Sequence, residues 1–560
     1  MTTAIDPAKN KERMEGPKAR LARTSPSLHL LMITVIFGVA VVGYVAVIWS
    51  GEIRGYQPSK IVAARDLALF VPVLGFFFWL TREQRFRGEM ILLTAAIFLF
   101  TVGLLMQFRL FSDPEYGARG GARARAREAK AQTIRLLNVE TAYDDEKKTF
   151  MFGSPEAVPK MAGGERLPVY EYSLKDILTS VNTYIPIAAL LAMAVGFRLF
   201  KSDKYLLWFQ RHALMLGLAT LVPFGIVVLI SEGGKFLGQT TPWEGVKVLF
   251  LLSFAGMLAD SYRHLRRTRW GLPPARYFLP FIVIAAMPVL PFFALSDFGQ
   301  MLVFFGVYVM LYIVAVRRKA QFVYAVALVA VLFAVFFGAS KATTGFGVPG
   351  RVYFRFYQWV HTWEAPPPET WWWKRDFERY LQAKNLTLDA NDPQEAKQRN
   401  NEAWADKVLQ QSQGLFGINE GGTIGQGLGL GFPETVPISD SDFIYAALAE
   451  EIGLAGGLAI LIALSAFIFA GTAISIAASD MFTKLVAAGL TAFVGFQAIV
   501  NIGGVLRLLP MTGITLPFVS HGGWSLITSF AMLGILLAFS HRNAVAHPVV
   551  NKPPQFVPVN

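Results

Sequence analysis

Residues 442–476 read DFIYAALAEEIGLAGGLAILIALSAFIFAGTAISI, with no charge after Glu451. At 1.5 Å per residue the run outreaches the roughly 30 Å hydrocarbon core of a bilayer, so it predicts a membrane-crossing helix. The same signal recurs near 28–49, 61–80, 88–109, 182–200, 212–231, 244–260, 277–296, 298–316, 320–339, 483–506 and 516–540. The pattern predicts an all-α polytopic membrane protein of about twelve transmembrane helices.

The composition requires lipid. The chain of 560 residues is 54% hydrophobic and 16% charged, with a mean hydropathy of +0.43, more apolar than a soluble core can absorb. With no cysteine, disulfides and thiolate metal sites are excluded. The net charge of +13 raises nucleic acid as a partner, but the basic residues sit mostly in short loops. Arg82, Arg85 and Arg87, then Arg198, Lys201 and Lys204, then Arg263, Arg266, Arg267 and Arg269, then Arg317, Arg318 and Lys319 all fall on one predicted side. That is the positive-inside bias of a multi-pass protein in contact with membrane lipid, and it argues against nucleic acid. The basic segment 1–27 has no cleavage site after the first span, so both termini are expected in the cytoplasm, the second as a tail at 541–560.

Two long connections then lie outside: 110–181, between spans 28–109 and 182–339, and 340–441, before spans 442–540. In the first, the stretch Arg119 to Lys130 reads as a solvated surface helix or as a contact for an acidic polymer. In the second, Trp371 to Trp373 mark the membrane interface, with stacking on sugars as the alternative. Loops of such length are usually functional or disordered.

The second connection ends in GLFGINEGGTIGQGLGLGFPETVPISDSDFIYAALAEEIG, residues 414–453. Its glycines, Gly427 and Gly429 among them, permit positive backbone angles and main-chain approach to a ligand such as phosphate, although the spacing is not that of a P-loop. A re-entrant loop is the alternative. Asp442 stands where this segment enters the apolar run, placed either to cap the helix or to do chemistry at its mouth. Glu450 and Glu451 lie about 12 Å deeper, where ionisable groups are expensive. Glu244 and Lys247, one turn apart, read as an ion pair, and Asp297 heads another span. Arg351 and Arg355 are placed to grip a diphosphate by forked hydrogen bonds or to snorkel at the interface.

Four segments resemble, in order, the signature of the FtsW/RodA family: TTPWEGVK (240–247), SDFGQMLVFFGVYVMLY (296–312), GGTIGQGLGLGFPETVPISDSDFIYAALAEEIGL (421–454) and NIGGVLRLLPMTGITLPFVSHGGWSL (501–526). GLLMQFRL (103–110) is similar to an early motif of the same family. The resemblance implies a peptidoglycan glycosyltransferase that polymerises lipid II outside the bacterial cytoplasmic membrane, beside a class B penicillin-binding protein transpeptidase. Asp442 falls on the family's essential acid, implying a general base for the acceptor sugar's 4-hydroxyl and an inverted product.

Arg351, Arg355 and Lys247 would meet the departing diphosphate, with Glu244, Asp297, Gly427, Gly429, Ser520, Gly522 and Gly523 in the matched motifs around the substrate. A divalent cation, magnesium or manganese, is the one cofactor expected, on Asp442 or Glu434. Glu434 is otherwise a tuner of the base or an exposed loop carboxylate. Glu450 and Glu451 match a paired acidic motif that holds helices or loop in place. The chain departs from the family at Thr512, at Ser520-His521-Gly522-Gly523 followed by Trp524, at Thr241-Pro242-Trp243-Glu244 and in both inserts. The rival readings are a flippase for lipid II or a related polyprenyl lipid, and a scaffold that recruits the transpeptidase.

Overall fold

The computed structural model describes residues 25–113, 116, 180–220, 243–266, 298–316, 348–386 and 392–546, together with four short strands between 133 and 171. Nine helices among the described residues are long and apolar enough to cross a membrane, and each falls on an expected span. In chain order the helices are α1 (Pro26–Ile53), α2 (Lys60–Glu83), α3 (Ile91–Ser112), α4 (Val181–Lys201), α5 (Asp203–Arg211), α6 (Ala213–Ala219), α7 (Trp243–Leu265) and α8 (Phe298–Val316). They continue with α9 (Val348–Val360), α10 (Lys374–Ala383), α11 (Pro393–Gly421), α12 (Ile444–Ala477), α13 (Met481–Val505) and α14 (Gly523–Ala546). The expected spans 277–296 and 320–339 lie outside the described residues, as does most of 212–231, of which α6 is the described part.

Helices prevail because lipid offers no partner for backbone polar groups, so each spanning segment must satisfy its own. Local sequence sets where they begin. Ser59 accepts from the amide of Val62 at 3.4 Å and Asp480 from that of Thr483 at 2.8 Å, two side-chain N-caps. The core is built from α3, α13 and α14, buried along most of their length, whereas α1 turns Val35, Val39 and Val42 outward and α12 turns Ile462, Phe469 and Ile476 outward. Two short antiparallel ladders qualify the all-helical expectation: β1 (Thr133–Arg135) pairs with β4 (Val169–Glu171), and β2 (Tyr143–Asp144) with β3 (Thr149–Phe150). The basic stretch 119–130 lies outside the described residues.

Contacts define the two ends of the bundle. At one end Lys201 Nζ donates to Gln84 Oε1 (3.0 Å), the amide of Arg87 to His541 Nδ1 (3.2 Å), and Arg542 to the carbonyl of Lys201 (3.2 Å). Among the described residues this end carries Arg87 and Lys201, two of the basic residues that the loop charges placed together, whereas Arg267, Arg269, Arg317, Arg318 and Lys319 lie outside them. At the other end stand the α1–α2 turn, the end of α3, the start of α4, the segment 429–442 and the loop 506–522.

The second insert folds on itself. Trp373, Phe377, Ala403, Trp404 and Val408 form a small core separate from the main one. Trp373 Nε1 donates to Asn400 Oδ1 at 2.8 Å, and its ring meets Trp404 edge to face. The reading of Trp371–Trp373 as an interface marker is therefore corrected. Trp373 is buried and Trp372 packs against this core, while Trp371 alone is exposed, edge-on to Tyr353. An apolar core between α9, α10 and α11 supplies the burial that was credited to lipid or sugar.

Candidate active site

The turn that carries Asp442 is held from the side. The N-cap residue of α12 is Phe443, which makes no capping bond, so Asp442 stands just outside the helix. Its carbonyl accepts from Asn501 Nδ2 at 2.9 Å, and the same amide donates to the carbonyl of Ile514 at 2.6 Å. Asn501 thus ties the turn to the loop after α13. Ser520 Oγ completes the tie by accepting from the amide of Leu516 (2.7 Å) and donating to the carbonyl of Ser441 (2.6 Å). Across from the Asp442 carboxylate lies Gly513, with φ +71°, where a Cβ would come within 3.4 Å of Oδ2. Arg355 reaches the same loop from α9, donating to the carbonyl of Thr512 at 2.9 Å. Asp442, Thr512, Gly513, Ser520 and Arg355 therefore gather at one place. Asn501 is roughly 20 residues along α13 from Met481, or about 30 Å, one bilayer core. The Asp442 turn lies at the end of the bundle opposite the one that holds Arg87, Lys201 and Arg542.

The structure separates Glu244 and Lys247 from this cleft. They pair with each other inside the bundle and are almost wholly buried. Gln300 Nε2 donates to Glu244 Oε1 (2.8 Å) and Lys247 Nζ to Gln497 Oε1 (3.2 Å). Gln497 Nε2 in turn holds the carbonyl of Thr515 at 3.0 Å. The pair supports the loop from behind and has no surface for a substrate, which corrects its placement as a substrate contact. Asp297 and the side chain of Arg351 lie outside the described residues. Gly522 and Gly523 lead into α14 and line a small pocket with Ser520, His521, Asn182 and Gln107.

The glycine-rich segment is a clasp. Gly453 has φ +66° and ψ −171°, and it breaks α12. A broken helix exposes carbonyls before the break and amides after it. The segment satisfies both. The amides of Gln426 and Gly427 donate to the carbonyls of Glu450 (2.9 Å) and Glu451 (3.0 Å), while those of Leu454 and Ala455 donate to the carbonyls of Gly422 (3.0 Å) and Thr423 (3.1 Å). Gly429 donates to Glu451 Oε2 at 2.9 Å. Gly427 and Gly429 thus turn their amides to α12 rather than to a phosphate, and the expectation of a ligand cradle is corrected.

Behind the clasp is a buried ionic cluster. Arg109 binds Glu451 (2.7 Å), Asp113 (3.0 Å) and Glu434 (3.1 Å), and Arg54 binds Glu434 from the other side at 2.6 Å. Both guanidiniums also donate to the carbonyl of Gly431 at 3.0 Å. Burial works against the charge of Arg54, yet Glu434, Asp113 and Tyr56 together outweigh burial and the neighbouring Arg109, and the guanidinium pKa is raised. Burial likewise pushes the Tyr56 phenol up. Glu434 is therefore no exposed carboxylate. With both oxygens facing arginines it does not fit a cation, so a divalent ion in the cleft would rest on Asp442 and on substrate phosphates. Among the described residues no group of three or more His, Asp or Glu is arranged for a metal. Glu450 accepts from the amide of Phe432 and fastens the clasp's far end.

Sequence reading missed Arg54, Arg109, Asp113 and a polar chain beside Asp442. In that chain Tyr116 donates to Asp440 Oδ1 (2.6 Å), and His521 bridges Asp440 Oδ2 (3.3 Å) and Asn182 Oδ1 (2.8 Å). Glu451 and Asp440, the partners of Arg109 and Tyr116, are more than 300 residues away in sequence, and no spacing rule links them. The local signals were Asp113, four residues after Arg109, and His521, which departs from the motif around it.

Fold and site together define a polytopic helical membrane protein with Asp442 on a turn at the end of its bundle remote from Arg87, Lys201 and Arg542. Residues 386–544 match the model of the FtsW/RodA/SpoVE family, described as cell cycle protein, so this stretch of the chain is similar to that family. It contains Asp442, the clasp and the loop that faces them. The peptidoglycan glycosyltransferase RodA of Mycobacterium tuberculosis is 46% identical over 129 residues, 23% of this chain and 28% of its own. Stage V sporulation protein E of Bacillus subtilis is 39% identical over 142 residues, 24% of this chain and 39% of its own. The chain thus spans well under half the length of these curated relatives. Among solved structures, one of a peptidoglycan synthase complex aligns at 21% identity and TM-score 0.44, over 65% of this chain and 91% of that one. The Rod shape determining protein RodA of Thermus thermophilus aligns at 21% identity and TM-score 0.32, over 65% and 95%.

Proposed function

We propose that this protein is an inverting peptidoglycan glycosyltransferase that polymerises lipid II at the outer face of the bacterial cytoplasmic membrane. The observation that carries the reading is the Asp442 carboxylate, held opposite Gly513 at the bundle end remote from the arginine-rich loops. The basic end then faces the cytoplasm, with both termini, and the cleft faces outward.

A sugar hydroxyl is a poor nucleophile at neutral pH, so a positioned base must take its proton as it attacks. In the proposed step the acceptor's 4-hydroxyl oxygen bonds to the donor's anomeric carbon, the carbon–oxygen bond to the lipid diphosphate breaks, and the proton passes to Asp442. Attack from the face opposite the leaving group inverts the anomeric centre. Arg355, already at the carbonyl of Thr512, offers charge to the departing diphosphate. A divalent magnesium or manganese ion, held by that diphosphate and Asp442, would supply further charge neutralisation. The remaining acids, Glu434, Glu450 and Glu451, act on the shape of the loop. A class B penicillin-binding protein is the proposed partner, receiving the glycan for cross-linking.

The test is to supply fluorescent lipid II to the purified chain, alone and with a co-purified transpeptidase, and separate the products on a gel. Polymer formation supports the reading. Transfer of intact lipid II across vesicle membranes without polymer would support the flippase instead, and neither activity would leave the scaffold reading.

A further inference from the structure

The turn 438–443 is held from within only by the amides of Ser441 (3.2 Å) and Phe443 (3.4 Å) on the carbonyl of Ile438. Ile438 sits at φ +59°, a costly backbone for a β-branched residue, and α12 begins without a side-chain cap. Its order comes from lateral partners, and the buried Asp440 is their centre. Asp440 Oδ1 accepts from the Tyr116 hydroxyl at 2.6 Å, and that hydroxyl accepts from the amide of Asp440 at 3.2 Å. On the other side the amide of His521 donates to the Asp440 carbonyl at 2.9 Å, while His521 Nδ1 faces Oδ2 at 3.3 Å. The far ring nitrogen of His521 meets Asn182 Oδ1 at 2.8 Å, and Phe111 packs against the ring edge.

We infer that Tyr116, Asp440 and His521 are positioning residues for Asp442. They fix the backbone two residues before it, so that its carboxylate points across at Gly513. Tyr116 and Asn182 stand near the two ends of the first insert, so the same chain of bonds joins both edges of that insert to the catalytic turn. The inference rests on the proposed role of Asp442 as base. A base displaced by about 1 Å costs on the order of 100-fold in rate, so a partial loosening is visible in kcat.

The test is Tyr116→Phe, which deletes the hydroxyl and keeps the ring against Phe111. In the lipid II assay kcat should fall about tenfold with KM for lipid II within twofold and the melting temperature nearly unchanged. Made in an Asp442→Glu background, the same change should cost far less than tenfold, because the two act through one carboxylate. His521→Asn, which retains a side-chain donor, should fall between wild type and His521→Ala. A raised KM with intact kcat, or full multiplicative loss in the double variant, would overturn the inference.

A second readout needs no activity. The natural chain has no cysteine, so Asp442→Cys reports its own orientation through its rate of labelling by a charged maleimide. Adding Tyr116→Phe should change that rate at least threefold, and an unchanged rate would overturn the inference too. Polymer-forming wild type with an indifferent Tyr116→Phe refutes the positioning role alone, whereas a wild type that makes no polymer refutes the function on which it rests.

Discussion

Replacing Gly453 with alanine should unfasten the clasp. At φ +66° and ψ −171° the residue occupies a region that only glycine enters cheaply, and a Cβ there would lie 2.3 Å from the amide nitrogen of Gly425 and 2.5 Å from the carbonyl carbon of Ile424. Both are backbone atoms, so no rotamer change relieves the clash. The backbone strain costs about 1–3 kcal/mol. The segment must also retreat from its four cross-bonds to α12, at about 1 kcal/mol each. The sum is roughly 5–7 kcal/mol, borne locally by residues 422–431. Gly38→Ala is the control, since nothing lies within 4 Å of a Cβ at that helical position, and it should be neutral or stabilising by up to about 1 kcal/mol. Thermal melts in detergent and limited proteolysis read the outcome. Gly453→Ala should melt well below the control and be cut within 420–432. Equal melting and equal protection would refute the clasp.

Arg109→Met leaves Glu451 without its buried counter-charge and Glu434 and Asp113 with Arg54 alone, and should destabilise the bundle by about 3–5 kcal/mol. A melting point unchanged from wild type would contradict the ionic cluster. Trp373→Ala removes the centre of the insert's own core and should cost about 3–5 kcal/mol there. Its signature is new protease cleavage between 360 and 410 while the spanning helices remain protected, and cleavage elsewhere first would argue against a separate core. Gly429→Ala places a Cβ against Ser50 Oγ at a φ of +83° and should lower the melting point. Ser50→Gly should restore part of the loss by removing the clash but not the strain, and no rescue would mean the contact is absent.

The spanning helices were readable because lipid enforces a simple rule: a long apolar run with no alternative partner becomes a helix. The burial of Glu244 with Lys247 was readable for a related reason, as charges one turn apart in an apolar run have little choice but each other. Asp442 stood out through its place at a helix mouth and the motif around it. The glycine segment was misread because glycine advertises backbone freedom without saying what uses it, and here the user is the break at Gly453. The tryptophans of the second insert were misread for want of a rival core. Trp404 and Trp373, 31 residues apart in sequence by their numbers, meet only after α10 and α11 fold back on α9. Arg109 finds Glu434 and Glu451, and Tyr116 finds Asp440, across most of the chain, and only the packed bundle joins them.

The central claim is tested most directly by Asp442→Asn, which keeps the shape of the side chain and removes its capacity to accept a proton. With purified protein and labelled lipid II, the substitution should abolish glycan polymer while the melting temperature and lipid II binding stay close to those of wild type. Polymer made at the wild-type rate by the folded Asp442→Asn protein would contradict the account.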